Sequence, residues 1–226
     1  MRSITLDLET TGLDPQKGHR IIEIGCVELY NNFPTGKVWQ KYVNPERKIP
    51  LEAFEIHGIS EEFLADKPVF PEIADDLLSF IKGSVLIIHN ANFDLKFLNY
   101  ELEKINKKNL NQYEIIDTLS LAKKIFPGMS VNLDALSRRY KIDLSRRKKH
   151  GALLDAEILA DVYVEMLGGR QQGMDFNLSK NINKTHNSHT KNEYSKTIYE
   201  LKEKEIESHK KMLLKIKNNL WEKKKN

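Results

Sequence analysis

The stretch Ser3-Ile4-Thr5-Leu6-Asp7-Leu8-Glu9-Thr10-Thr11-Gly12 limits the fold more than any other part of the chain. Apolar and polar positions alternate through it, and it closes on two carboxylates one residue apart and a turn rich in hydroxyls and glycine. Successive strand side chains point to opposite faces, so a strand here puts Asp7 and Glu9 on one face and Leu6 and Leu8 on the other. Two like charges on one face of an N-terminal, central strand are unfavourable unless something neutralises them. A divalent cation does so most simply, and oxygen-only ligands suit Mg²⁺ or Mn²⁺. Taken alone, the triplet is explained equally well as a polar strand end at the surface. What decides is whether further carboxylates and a histidine arrive at the ends of later elements.

A chain of 226 residues has room for one sizeable α/β domain and an appendage. No signal-peptide pattern follows Met1-Arg2, and no apolar run approaches membrane-spanning length, so no membrane association is expected. The single cysteine, Cys26, lies in an apolar run and reads as a small buried hydrophobe. It can form no internal disulfide, which fits a cytoplasmic protein. The net charge of +4 is unevenly spread: from Arg170 onward there are 14 Lys and Arg against 7 Asp and Glu, leaving 22 against 25 for residues 1–169. The body is mildly acidic and the tail basic. A broad basic face is therefore not what would hold a nucleic acid on the body; local cationic patches and bound metal would have to do so.

The pattern predicts a second strand over Ile21 to Tyr30 and, after a turn at Asn31 to Gly36, a third over Val38 to Val43, together an antiparallel meander. A short helix from Pro50 closes at Gly58, and Ser60 caps the next turn. Ile73, Leu77, Leu78 and Ile81 mark a helix, and Val85 to Ile88 a strand buried on both faces. Asn92 caps a helix carrying Phe93 to Leu102, Tyr113 to Ile116 is a strand, and Asp117-Thr118 starts a helix reaching Phe126. Leu133, Leu136 and Tyr140 mark a further helix. A basic loop, Ser145 to Gly151, precedes a strongly amphipathic helix from Ala152 to Leu167. Strands first, then strand and helix alternating, is an α/β fold with a mixed sheet flanked by helices.

Asp94 lies one turn into the helix after the buried strand, and Asp155 on the first turn of the last body helix. Helix starts that follow strand ends converge at one edge of an open α/β sheet, where Asp7, Glu9, Asp94 and Asp155 can meet. Two divalent cations would relieve their repulsion, and two metals about 4 Å apart are a recurrent arrangement for in-line attack on a phosphodiester. His150, five residues before Asp155, can reach over such a site and take a proton from water. Each member also has a plainer explanation: helix-start acids complement the dipole, and His150 can be an exposed loop histidine. The argument rests on the set.

Asp7-x-Glu9, Asn90-Ala91-Asn92-Phe93-Asp94 and His150-x-x-x-x-Asp155, in this order and separation, resemble the three motifs of the DEDDh (DnaQ-like) 3′–5′ exonucleases. The agreement is closest to the proofreading (epsilon) subunits of bacterial DNA polymerase III and covers essentially all of residues 1–169. The resemblance implies a ribonuclease-H-like fold, two Mg²⁺ or Mn²⁺ held by Asp7, Glu9, Asp94 and Asp155, and His150 as general base. Carried over by position, Glu52 would touch the 3′-hydroxyl of the terminal nucleotide, Thr10 would contact that nucleotide, and His57 and Phe93 would lie near it. Asp117 also matches a recurring position and reads as structural, a helix cap. Ser145 and the run Arg146 to Lys149 can meet a DNA backbone or simply form a solvated loop.

Residues 170–194 are rich in Asn, Ser, Lys and Gln and are expected to be a flexible linker. Within it Gln171, Met174 and Phe176 are spaced as in the sliding-clamp-binding peptide of such subunits, an extended segment that would bury Met174 and Phe176 in an apolar pocket. In 195–226 a helical stripe returns through Ile198, Leu201, Ile206, Leu213, Ile216 and Leu220. It resembles the part of the proofreading subunit that binds the polymerase catalytic (alpha) subunit; a membrane-surface helix is the rival explanation. The resemblance also allows a small accessory (theta-like) subunit on the body. The function expected is removal of mispaired nucleotides from a DNA 3′ end within a replicase. The alternatives are a stand-alone exoribonuclease of the same fold and a catalytically idle replicase adaptor.

Overall fold

A computed structural model describes residues 1–145, 147, 149–168 and 203–215. Among these, five strands, β1 (Arg2–Thr10), β2 (Ile21–Tyr30), β3 (Phe33–Tyr42), β4 (Val85–Ile88) and β5 (Ile115–Asp117), form one sheet in the order β3-β2-β1-β4-β5. β1, β2 and β3 pair antiparallel, whereas β4 runs parallel to β1 and β5 parallel to β4. The helices are α1 (Leu51–His57), α2 (Glu61–Leu64), α3 (Phe70–Ile81), α4 (Ala91–Lys104), α5 (Thr118–Ile125), α6 (Leu133–Tyr140), α7 (Ala152–Met166) and α8 (Glu203–Leu213). This is the α/β mixed sheet flanked by helices that the pattern predicts, in the ribonuclease-H-like arrangement that the resemblance implies.

The alternation in β1 decides which helix covers which face. Ile4, Leu6 and Leu8 join Phe70, Ile73, Leu77 and Ile81 of α3 and Phe97, Leu98 and Leu102 of α4 in one buried cluster. Burying an aliphatic or phenyl side chain of this kind stabilises the fold by about 1.5–3 kcal/mol. The opposite face of the sheet takes α7. Thr5 Oγ1 donates to the Ala156 carbonyl at 2.8 Å, Leu29 packs on Ala160 and Val164, and Ile87 on Leu159 and Tyr163. The polar face of β1 is thus roofed by a helix, and its acids emerge only where the strand ends.

The expectation of a strongly amphipathic last helix is corrected: ten of the fifteen residues of α7 are buried. The sheet covers one side, and Ile158, Val162 and Met166 pack with Ala122 of α5 and Leu136 of α6 on the other. The helix has almost no face left for water. β3 begins at Phe33, earlier than predicted, because the turn is only Asn31-Asn32, both at positive φ (50° and 66°). That is the backbone a two-residue hairpin requires. Pro34 then falls in an edge strand, where a missing N–H is tolerated. α4 starts at Ala91, so Asn92 lies inside it and Asn90 is the cap.

The chain divides into two units, residues 1–174 and 175–226. In the second, α8 carries Glu203 and Glu205 in its first turn and Lys210 and Lys211 in its last, each favourable to the helix dipole, and none of its residues is buried. Gln171, Met174 and Phe176, the linker 170–194 and most of the stripe in 195–226 lie outside the described residues.

Candidate active site

Three local devices bring the acids to one end of the sheet. Asp7 and Glu9 lie in the C-terminal half of β1. Asp94 is set by the β4–α4 turn, where Asn90 takes a left-handed conformation (φ 69°) and its N–H donates to Asp117 Oδ1 at 3.1 Å. The same carboxylate accepts from Leu119 N at 3.0 Å and from Ser120 Oγ at 2.7 Å, so Asp117 staples that turn to the start of α5. Asp155 is set by the N-terminus of α7. Ala152 N donates to Glu23 Oε2 at 3.1 Å, and Gly25 lies so close that an added Cβ would run into the Ala152 and Leu153 backbone. Glu23 interrupts an apolar run in the sequence, and a buried acid there has to find a partner.

Glu9, Asp94 and Asp155 are buried. Asp7 retains some accessible surface as a residue, yet its carboxyl sits deep among protein atoms. Glu9, His150 and Asp155 offer donor atoms that all lie within 4.8 Å of one another. Asp7 is held well above the ordinary carboxylate range by burial and then by the charges of Asp94, Asp155 and Glu9. Burial, followed by the charge of Asp155, pushes Glu9 up to about 8. Asp94 is also raised, mainly by burial, with Glu9 adding to it. The charges of the four acids and His150 therefore act on one another, and His150 lies within ligand distance of Glu9 and Asp155.

His150 Nδ1 lies 3.0 Å from Asp155 Oδ2 and 2.8 Å from Arg147 Nη2. It can donate to the first or accept from the second, not both at once. The hydrogen bond to Asp155 is the main cause that raises the His150 pKa. Arg147 departs from the expectation of a cation facing solvent or DNA. Its side chain is 8% exposed, with Nε 2.6 Å from Asp155 Oδ1, Nη2 donating to Asp155 Oδ2 at 2.7 Å, and Nη1 bonded to Asp134. Nothing in the run Arg146 to Lys149 marked which residue turns inward; only the fold supplies the α6 carboxylate that draws it.

Beside the acids is a cavity of about 560 Å³ lined by Glu9, Thr10, Gly12, Glu52, His57 and Phe93, among others. All four residues expected to meet substrate therefore border it. The Thr10 hydroxyl donates to Gly12 O at 2.7 Å, which ties the loop after β1 to the strand. His57 Nδ1 accepts from Ile59 N at 2.9 Å, so Nε2 carries the ring proton, and Nε2 is buried without a partner. Burial, then Lys149, lowers this imidazole to about 4, which makes it a neutral donor beside an acidic site.

The donor set fits hard divalent cations: buried carboxylate oxygens, mutually repulsive without a counter-charge, joined by one exposed imidazole. Asp155 Oδ1 adds a specific sign. It has ion-pair contact with Arg147 but no hydrogen bond.

A mixed five-stranded sheet with clustered acids where β1 ends and α4 and α7 begin defines a nuclease-type hydrolase. The model of the RNase T exonuclease family matches residues 4–163, and the chain belongs to this family of divalent-metal-dependent exonucleases. It is 50% identical over 222 residues to the DNA polymerase III subunit epsilon of Rickettsia conorii, covering 96% of each chain. With the subunit of that name from Escherichia coli K12 it shares 48% over 176 residues, 75% of this chain and 72% of the relative. Among solved structures it is similar to the nuclease domain of 3′hExo, a DEDDh family member bound to rAMP, with a TM-score of 0.65, 21% identity, and 74% and 92% of the two chains covered. Exonuclease X in complex with 5′ overhanging duplex DNA gives 0.56, 26% identity, and 73% and 90%.

Proposed function

We propose that this chain is the proofreading 3′–5′ exodeoxyribonuclease subunit of a replicative DNA polymerase. The observation that carries the reading is the meeting of Asp7, Glu9, Asp94, Asp155 and His150 at the edge of the cavity bordered by Thr10, Glu52, His57 and Phe93. Asp7, Glu9, Asp94 and Asp155 hold two Mg²⁺ or Mn²⁺, which supply Lewis-acid stabilisation of the charge that develops on the phosphate during hydrolysis. His150, with Nδ1 donating to Asp155, keeps Nε2 free to take the proton of the attacking water. Glu52 receives the 3′-hydroxyl, while Thr10 and Phe93 border the terminal nucleotide and His57 offers it a neutral N–H. The leaving group is the shortened strand, and the product is a nucleoside monophosphate.

Selectivity comes from fraying. A mispaired end unpairs more readily, and only an unpaired end enters the cavity. The replicase setting is supported by the identity to epsilon subunits over nearly the whole chain, a match long enough to take in most of the tail. In this reading 195–226 binds the polymerase catalytic (alpha) subunit, Gln171, Met174 and Phe176 bind the sliding clamp, a small theta-like subunit can join the body, and the chain works in the cytoplasm. Among the described residues no helix is long and apolar enough to cross a membrane.

The test is release of mononucleotides from DNA with a mispaired 3′ end, from the paired duplex, from single-stranded DNA and from matching RNA. Release fastest from single-stranded and mispaired DNA supports the reading. A preference for RNA would move the chain to RNA processing, and no release from any substrate would leave a replicase adaptor.

A further inference from the structure

Arg147 is the one arginine or lysine among the described residues that bonds directly to an acid of the proposed metal set. Its guanidinium is a fork with tines in three directions: Nε and Nη2 on the two oxygens of Asp155, Nη1 on Asp134 of α6, and Nη2 also within 2.8 Å of His150 Nδ1. Asp134 is half-exposed at 42% whereas Asp155 is 4% exposed. The outer carboxylate is thus an anchor that keeps its water, and the inner one is a buried charge for which Arg147 is the counter-ion. A buried carboxylate stripped of its partner is costly, and Arg147 gives Asp155 one charge-assisted hydrogen bond, Nη2 to Oδ2, beside the close ion-pair contact of Nε with Oδ1.

Resting on the metal-site reading above, we infer that Arg147 is a resident counter-cation of Asp155, which a divalent ion drawing on that carboxylate must displace. Arg147 is then a positioning residue with two effects. It holds Asp155, and through it the loop bearing His150, in place before metal arrives, and it lowers the affinity with which metal binds. The Asp134 anchor gives the displaced side chain a place to remain. Release of Nη2 from His150 Nδ1 also removes the rival to the Asp155 hydrogen bond, so that metal entry and the orientation of the base are linked through one side chain.

The inference separates two quantities that ordinary structural damage would lower together. The full chain, stripped with EDTA, is titrated with Mn²⁺ at pH 7.5 while free Mn²⁺ is followed by electron paramagnetic resonance, and the stripped protein is melted in parallel. Arg147→Met is expected to lower the melting temperature of the stripped protein and yet to tighten Mn²⁺ binding about tenfold, the scale of one lost charge-assisted contact. Arg147→Lys, which keeps the charge without the fork, is expected to bind Mn²⁺ more tightly than wild type and less tightly than Arg147→Met. If Arg147→Met does not fold, Arg147→Lys alone carries the comparison. Unchanged or weaker Mn²⁺ binding in the folded variants overturns the role of Arg147 and leaves the metal site standing. Wild-type protein that binds no Mn²⁺ overturns both.

Discussion

Glu23 Oε2 accepts the backbone N–H of Ala152 at 3.1 Å, and this bond fixes the first turn of α7 to the middle of β2. Asp155 lies one turn further on and His150 two residues before, so a strand carboxylate bonded to the α7 backbone helps to place both residues. Its other oxygen accepts from Gln40 Nε2 at 2.7 Å, which holds the rotamer. Glu23→Ala leaves a buried helix N-terminus unpartnered, a cost of about 1–3 kcal/mol. Turnover is expected to fall at least tenfold. Denaturant melts and exonuclease rates measured together check this, and unchanged turnover would show that α7 is held by other contacts.

The neighbouring Gly25 is constrained by space rather than by its backbone angles. A methyl group there would run into Ala152 and Leu153, which are backbone and cannot turn aside. Gly25→Ala is expected to cost about 1–3 kcal/mol as overpacking and to lower turnover by displacing α7, whereas alanine at the exposed Gly36, which meets no neighbour but is strained by its φ of 82°, costs stability and leaves turnover unchanged. Parallel thermal melts and rate assays of the two variants decide the matter.

Asp7 is expected to oppose stability while serving function. Its carboxyl is raised by burial and by three acids around it, so Asp7→Asn should abolish turnover and stabilise the EDTA-treated protein by about 1–2 kcal/mol, the scale of a relieved like-charge contact in a partly buried site. Calorimetry of the variant against wild type provides the check; a lower melting temperature would mean that Asp7 is held by contacts stronger than the repulsion.

His57 gives a pH dependence of defined sign. Its folded pKa of about 4 lies below the ordinary value of 6.5, so the folded protein binds fewer protons than the unfolded chain between the two. The stability it contributes is complete above about pH 6.5 and is lost as pH falls towards 4. His57→Gln is expected to flatten the stability profile over that window. An unaltered profile in urea melts from pH 4 to 7 would contradict the buried neutral imidazole.

Much of the fold was legible because strand and helix periods differ. The alternation in β1 assigned Asp7 and Glu9 to the face opposite Leu6 and Leu8, and the unbroken apolar run of β4 marked a strand covered on both sides. The burial of α7 was not legible, because polar residues such as Asp155 look solvent-facing until the site they serve is known. Nor was the inward turn of Arg147: four cations in a row carry no signal that distinguishes one from the next, and its partner Asp134 comes from α6. Asp117 was legible as a cap, but its grip on Asn90, which sets Asp94, depends on β4 and β5 lying side by side.

If Asp7, Glu9, Asp94 and Asp155 hold divalent ions for hydrolysis at a 3′ end, shortening of a primer requires both the ions and the carboxylates. The most direct measurement follows a primer with a mispaired 3′ nucleotide, labelled at its 5′ end, in Mg²⁺ and in EDTA, with wild type and with Asp7→Ala. Stepwise shortening from the 3′ end is expected in Mg²⁺ only, slowed about 10³-fold or more in the variant. Shortening that persists in EDTA, or equally in Asp7→Ala, would contradict that role for the carboxylates.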